Sequence, residues 1–361
     1  MLVLITSRVK ITRSPSAAQS RTLNFFFISM RSGDVKKRVA IGLLSVQLCA
    51  ALLWIYLVWG STYLSNRIAL ESMPPFLISG IRFLIAGGAL QMICLLSGGK
   101  LPGARDWLAA AVPGVLMIAI GQGSMVYAGQ TLPSGIVALL FALLPIWTTL
   151  MQWALPGGAC PGAGILVGLA LGSAGMALLV SGGNGGLGAQ WPMGALATVV
   201  AGTLSWAVAA LYVKRSSRQG SALQASAMQM LTGGACLMLF AALNGEWQTF
   251  SFAQVTSRSG LAMAYLVVVA SVITYPVYNW LVKAASPTLM ATFAFVNPVV
   301  ALYLGWLVFD EKMSTMTVLS SVLILLGVIA ITWTQALASR STGPGLPVKM
   351  AGVGGLQASR T

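Results

Sequence analysis

The chain has 361 residues, of which 57% are hydrophobic and only 7% charged, at a mean hydropathy of +0.85. A water-facing surface normally carries about a quarter charged residues, so a soluble domain is excluded and the chain reads as an all-α membrane protein. The net charge of +15 would point a soluble chain toward nucleic acid, but the basic residues gather in an N-terminal arm and in alternate loops, so the expected partner is the lipid bilayer and no nucleic acid.

Residues 1–38 form the basic arm. Its first part, 1–29, carries Arg8, Lys10, Arg13 and Arg21 with several serines and no acid, a composition that superficially fits a transit peptide. The apolar patch 23–28 is too brief to span a membrane. Lys36, Lys37 and Arg38 stand directly before the first long apolar segment, 41–64, which exceeds the roughly 20 residues needed to cross a ~30 Å hydrocarbon core. After the polar turn Glu71-Ser72-Met73-Pro74-Pro75 a second segment, 76–96, is interrupted only by Arg82. Further spans are expected at 107–130, 134–155 and 162–180. In the last of these Gly164, Gly168 and Gly172 lie four apart on one helix face, a spacing that admits a close neighbour, either another helix of the bundle or a second copy of the chain in a homodimer. A glycine-rich connector, 182–191, separates five more apolar segments at 192–213, 222–243, 261–282, 288–309 and 315–335, and a tail runs from 337 to 361.

The second five spans repeat the first. Trp59 with Arg67 matches Trp206 with Lys214, Gly87-Gly88-Ala89 matches Gly233-Gly234-Ala235, and Tyr127 and Pro145 match Trp280 and Pro298 at a common offset of 153. An odd number of spans per repeat forces the second copy to enter the bilayer from the opposite side, giving inverted repeats whose substrate site is expected near the midplane. With a cytoplasmic N-terminus, ten basic residues near span ends fall inside (Lys36, Lys37, Arg38, Lys100, Arg105, Lys214, Arg215, Arg218, Lys283, Arg340) and three outside (Arg67, Arg258, Lys312). That asymmetry agrees with both termini in the cytoplasm. Trp107, Trp191 and Trp247 at span ends suit interfacial belts.

Enzyme readings lack their groups. The chain has no histidine, no acid inside an expected span and no G-x-x-x-x-G-K-[ST] loop, which removes histidine-based hydrolysis and ATP hydrolysis. Cys49, Cys94, Cys160 and Cys236 lie apart with no metal-ligand spacing, so neither a metal nor any other cofactor is expected. Polar and aromatic lining remains. A charge inside a span, as at Arg82, costs about 2.5 to 3.5 kcal/mol unless it faces protein or water. It either reaches the near interface or Glu71 to fix the first turn, or serves gating or substrate binding. Tyr275, Tyr278, Asn279 and Trp280 surround Pro276, whose missing N–H leaves a carbonyl for neighbours or cavity water to satisfy. Asn297-Pro298 and Pro145 interrupt the ninth and fourth spans at matching places, the kind of pairing that marks a carrier's site, although helix packing through interhelical hydrogen bonds would also use such residues. Trp59, Ser61, Thr62, Gln122, Tyr127 and Trp206 would line the same space.

Trp59-Gly60-Ser61-Thr62-Tyr63, then Arg67-Ile68, Glu71, Pro74-Pro75, Gly80 and Arg82-Phe83-Leu84 resemble the opening of the drug/metabolite transporter superfamily, EamA-domain type, close to its YedA-like inner-membrane exporters. The resemblance runs over roughly residues 39 to 335. It begins after Met30, which is therefore the expected natural start, with 1–29 an extension. It implies ten transmembrane helices as two inverted five-helix EamA repeats, 39–181 and 192–336, with the first, third, fourth, sixth, eighth and ninth helices around a cavity. It also implies acidic ends to the fourth and ninth helices; Asp310-Glu311 supplies the second, whereas Pro156-Gly157-Gly158 stands in place of the first. The expected activity is secondary transport, by alternating access, of small metabolites, amino-acid-like compounds or amphipathic drugs out across a bacterial plasma membrane, with a small-molecule substrate as partner. The competing expectations are a non-transporting scaffold or accessory subunit and, third, an intramembrane enzyme. Coupling is expected to be facilitated or by exchange, or else to read a proton through span-end acids such as Glu71 or Asp310.

Overall fold

The computed structural model describes residues 46–132, 137, 140–156, 158, 160–181, 192–216, 221–309 and 315–341. The arm 1–38, the connector 182–191, Asp310-Glu311 and the end of the tail lie outside them. The chain divides into Met1–Ala50 and Ala51–Thr361. Of the first unit only 46–50 are described, as helix; the second unit carries the bundle.

Every regular element among the described residues is helical. The ten longest are, in chain order, α1 (Val46–Ala69), α2 (Pro75–Leu96), α3 (Ala104–Ala128), α4 (Leu144–Ala154), α5 (Ala163–Ser181), α6 (Met193–Arg215), α7 (Ala222–Leu243), α8 (Ser257–Ala284), α9 (Phe293–Phe309) and α10 (Thr315–Ser341). Among the described residues seven helices are long and apolar enough to cross a membrane: α1, α2, α3, α6, α7, α8 and Val318–Gln335 within α10. The ten expected spans are therefore met in part. Ala163–Leu178 and Pro287–Ala301 are apolar but shorter, and the expected fourth span runs through residues outside the described set before α4 begins. A short helix, Pro287–Ala291, precedes α9, with Thr292 between them. Helix α10 continues to Ser341, into the stretch read from sequence as tail.

The bundle is organised by counterpart pairs. α2 packs most extensively on α7, and α5 on α10. Glycines permit both approaches, because helices in a bilayer gain association from close backbone packing rather than from hydrophobic exclusion. A Cβ on Gly87 would stand 2.9 Å from Leu231 Cγ, and one on Gly234 3.1 Å from the Leu84 nitrogen. Gly164 and Gly168 face Thr334 and Ile331 of α10, while Gly172 faces Phe295. Among the described residues the glycine stripe therefore lies against side chains of α9 and α10. Around it Leu169, Met176, Phe295, Ile324, Val328 and Ile331 form a buried cluster.

Two helices change winding in mid-course. Gly114–Gln122 in α3 and Leu266–Ile273 in α8 are π-helical. The repeat offset of 153 carries the first of these stretches onto the second to within two residues, so the two halves widen at the same place.

The loop contacts sort into two ends. At one, Ser259 Oγ donates to Ile68 O and Thr256 N to Ser72 Oγ, while Arg258 stands 3.9 Å from Glu71. There, too, Glu246, in a short helix after α7, accepts from the first-turn amides of Phe76 (3.3 Å) and Leu77 (2.7 Å), capping α2 from the other half. These are donors that a helix leaves unpaired at its N-terminus, where the dipole also favours an anion. At the other end, Gln224 Nε2 donates to Lys100 O, and Lys214 Nζ to Lys283 O and Ala285 O.

Two measurements probe this packing. Gly168→Val must displace Ile331 and the Gly327 carbonyl, only 2.5 and 2.7 Å from a Cβ, at a cost of about 1 to 3 kcal/mol. Its melting temperature in detergent is expected to fall by several degrees, whereas Gly88→Ala, with nothing within 4 Å of its Cβ, should hold or rise. An unchanged Gly168→Val would refute the close approach. The second measurement uses Glu246, whose carboxyl burial pushes above the usual range, against the pull of its two backbone donors. A native state that holds this proton more readily than the unfolded chain gains stability as pH falls from above the raised value toward about 4.3, and loses it on the return. Acidification through that window should raise the parent's melting temperature more than that of Glu246→Gln; parallel curves would remove the carboxyl from the account.

Candidate functional site

The site grows out of the wide turns of α8. Winding to i−5 leaves carbonyls without their usual donors, which in a membrane must be satisfied inside the protein. Ser271 Oγ donates to Leu266 O (2.9 Å) and Thr274 Oγ1 to Val269 O (2.7 Å). The carbonyl of Ala270 is taken by the indole N–H of Trp59 at 3.3 Å. The other half repeats the device, for Ser205 of α6 donates to Leu116 O in the π segment of α3 (2.8 Å). The break expected at Pro276 therefore lies upstream of the proline, spread over a stretch held by hydroxyls and an indole.

Arg82 reaches the same stretch. Its Nε donates to Ser271 Oγ at 2.8 Å, and its guanidinium lies 4.8 Å from the centre of the Phe83 ring. The side chain is 5% exposed. Glu71, the partner sequence reasoning offered it, stands by Arg258 instead, and no ion pair to Arg82 is present among the described residues. Acids are scarce nearby: in the described helices long enough to span, the one acid is Asp106, in the first turn of α3.

Trp59 also centres a ring cluster. It lies 4.9 Å from Tyr278, 5.0 Å from Phe293 and 6.0 Å from Trp206, and Trp206 Nε1 donates to the Tyr278 hydroxyl at 2.8 Å. Beside these rings is a cavity of about 40 Å³, lined by Arg82, Thr62, Gln122 and Asn297 together with Trp59, Trp206, Tyr275, Phe141 and Phe293. A space of that size has room for water. The Oδ1 of Asn297 is buried and without a hydrogen-bond partner.

Of the residues singled out from sequence, Trp59, Thr62, Arg82, Gln122, Trp206, Tyr275 and Asn297 converge on this cavity, and Tyr278 packs against its rings. Ser61 shares a hydrogen bond with Tyr265 and donates to Val58 O. Asn279 turns to α7, where its amide donates to Ser226 and Gln229. Tyr127 is 45% exposed and stacks on Phe76, and half-buried Trp280 takes no part in the ring cluster. Pro145 opens α4 in its first turn, whereas Pro298 lies inside α9. Sequence reasoning missed Phe141 and Phe293, single aromatics in apolar runs with nothing to distinguish them. It also missed Ser271, whose role comes from a change of winding.

The family model for the EamA-like transporter family matches residues 40–181 and again 193–333. The chain belongs to this family. It is an EamA-like membrane transporter and not an enzyme, and the two matches are its two repeats. A relative from Escherichia coli (strain K12), named "Uncharacterized inner membrane transporter YedA", is 38% identical over 298 residues, covering 79% of this chain and 90% of the relative. The "Uncharacterized transporter YvbV" of Bacillus subtilis (strain 168) is 24% identical over 305 residues, covering 83% of this chain and 96% of that one. A solved crystal structure at 20% identity superposes with a TM-score of 0.67 over 81% of this EamA-like chain and 98% of its own, which bears on fold alone.

Ser271→Ala would leave the Arg82 Nε and the Leu266 carbonyl of this transporter without their partner. A buried polar group so stranded costs about 1 to 3 kcal/mol, so the variant should insert but unfold earlier in detergent. An unchanged unfolding curve would mean that Ser271 does not hold the arginine.

Proposed function

We propose that the chain is a ten-span secondary transporter of the bacterial inner membrane, built as two inverted five-helix repeats. It exports small metabolites, amino-acid-like compounds or amphipathic drugs by alternating access. The observation that carries the reading is the cavity between the halves, where a buried arginine, an unpartnered asparagine oxygen and a ring cluster meet at the wide turns of α8. Counterpart pairing of α2 with α7 and of α5 with α10 supports a pseudo-two-fold axis, since a contact across such an axis is reciprocal. Inversion is supported by the loops: the α1–α2 turn lies at the end of the bundle opposite to the junction of α6 and α7. The relative's name, inner membrane transporter, supports the location.

A cavity of about 40 Å³ cannot hold a solute, for which pockets of about 300 to 1,000 Å³ are usual. The rings therefore separate when substrate enters, and the contacts at the two ends of the bundle open in turn. The wide turns of α3 and α8 supply places where winding can change at low cost.

Topology and transport are tested together. Single cysteines placed beside Arg215 and beside Glu246, in a chain cleared of its own, should label from opposite faces of the membrane, with Arg215 cytoplasmic; labelling from one face would end the inverted arrangement. Cells overproducing the protein and loaded with a panel of metabolites should release one chemical class faster than cells carrying Trp59→Ala. Equal release of every compound would favour a scaffold.

A further inference from the structure

We propose that the cavity selects a carboxylate-bearing solute with an apolar or aromatic body and a hydrogen-bond donor beside the carboxylate, and that it turns away organic cations. The inference rests on the transporter function proposed for this same site.

Charge is the first ground. Arg82 is the one ionised side chain in the cavity wall, and the described spanning helices bring no acid to it. A desolvated cation without a counter-ion is among the more costly things a bilayer protein can hold, and its ring contact with Phe83 offsets only part of that cost. A bound anion would supply the missing charge. Guanidinium geometry narrows the class further. Nε is held by Ser271, whose own proton is committed to Leu266, so the planar group has a fixed setting. Among the described residues its terminal nitrogens take no protein acceptor, and a carboxylate meets such a fork through two oxygens.

The second ground is Asn297. Its Oδ1 is an acceptor on the same wall, buried and unpaired, and an acceptor in that state gains most from an N–H or O–H brought in by a ligand. A hydroxyl or amino group next to the carboxylate would provide it.

The rings decide against a cation. An aromatic cage needs open ring faces, but Trp59 is flanked by Tyr278 at 4.9 Å and Phe293 at 5.0 Å, and Trp206 meets Trp59 edge-on. In the closed arrangement the rings cover one another, and once they part Arg82, in the same wall, repels any cation that enters. What the rings offer is apolar surface for the body of the solute.

The test uses full-length protein in proteoliposomes and three probes: 3-phenyllactate, 3-phenylpropionate, which lacks the hydroxyl, and the cation phenethylamine. Binding is read from quenching of tryptophan fluorescence and transport from exchange of labelled probe. Phenyllactate should bind tightest and exchange, and phenethylamine should do neither. Arg82→Gln should weaken phenyllactate by at least about tenfold, the scale of a charge-assisted pair, and Arg82→Lys should fall between. Asn297→Leu should bring the affinity ratio of phenyllactate to phenylpropionate close to one. Melting curves verify that each variant is folded; should Arg82→Gln not fold, the Lys and Asn297 variants carry the test. Binding and exchange of phenethylamine in preference to phenyllactate would overturn the carboxylate inference while leaving the transporter reading in place. So would an affinity for phenyllactate that is the same in parent and variants, or no binding of any probe. The transporter reading itself falls only if loaded cells also release every compound at the same rate with parent and Trp59→Ala.

Discussion

A carbonyl that loses its helical partner inside a bilayer must find a donor in the protein, and this molecule has built its centre on that requirement. The wide turns of α8 present the carbonyls of Leu266, Val269 and Ala270, and Ser271, Thr274 and Trp59 answer them. Because Ser271 spends its proton on Leu266, its oxygen is left to accept from Arg82. One departure from regular winding thereby positions the indole at the middle of the ring cluster and the one charge among the described residues of the cavity wall. Each unsatisfied group would cost several kcal/mol in hydrocarbon, so the arrangement is fixed by necessity rather than by fine packing.

The same economy appears in the pairing of helices. Hydrophobic exclusion does not distinguish lipid tails from leucine, so association has to come from contact. Glycines on α2, α5 and α7 bring backbones together where any Cβ would collide, as Gly168 does with Ile331 and the Gly327 carbonyl. The helices so joined are counterparts in the repeat, and this places equivalent surfaces of the halves face to face, with the cavity left at their meeting.

Much of this was legible in the sequence. Apolar length marked the spans because the bilayer sets a length, and Arg82 and Asn297 stood out because polar groups in hydrocarbon are costly. The glycine spacing of α5 marked a helix face, and Thr334, Ile331 and Phe295 lie against it. What stayed hidden depends on partners distant in sequence. A π segment has no composition of its own, so the interruption was attributed to Pro276 although it lies in Leu266–Ile273. Phe293 is in register with Trp59 only through the fold, and Tyr127 and Trp280, an aromatic pair matched by offset, are not in the cavity wall. The capping of α2 by Glu246 spans 169 positions, beyond any local pattern.

That cap has a consequence for how the protein is made. The first turn of α2 is completed by a carboxylate translated long after it, and the glycine faces of α2 and α5 wait for α7 and α10. Until α7 and α10 are made, a nascent first repeat therefore lacks both the carboxylate that caps α2 and the helices that cover its glycine faces. The two repeats are similar in sequence but do not mature as independent units: the second finishes the first.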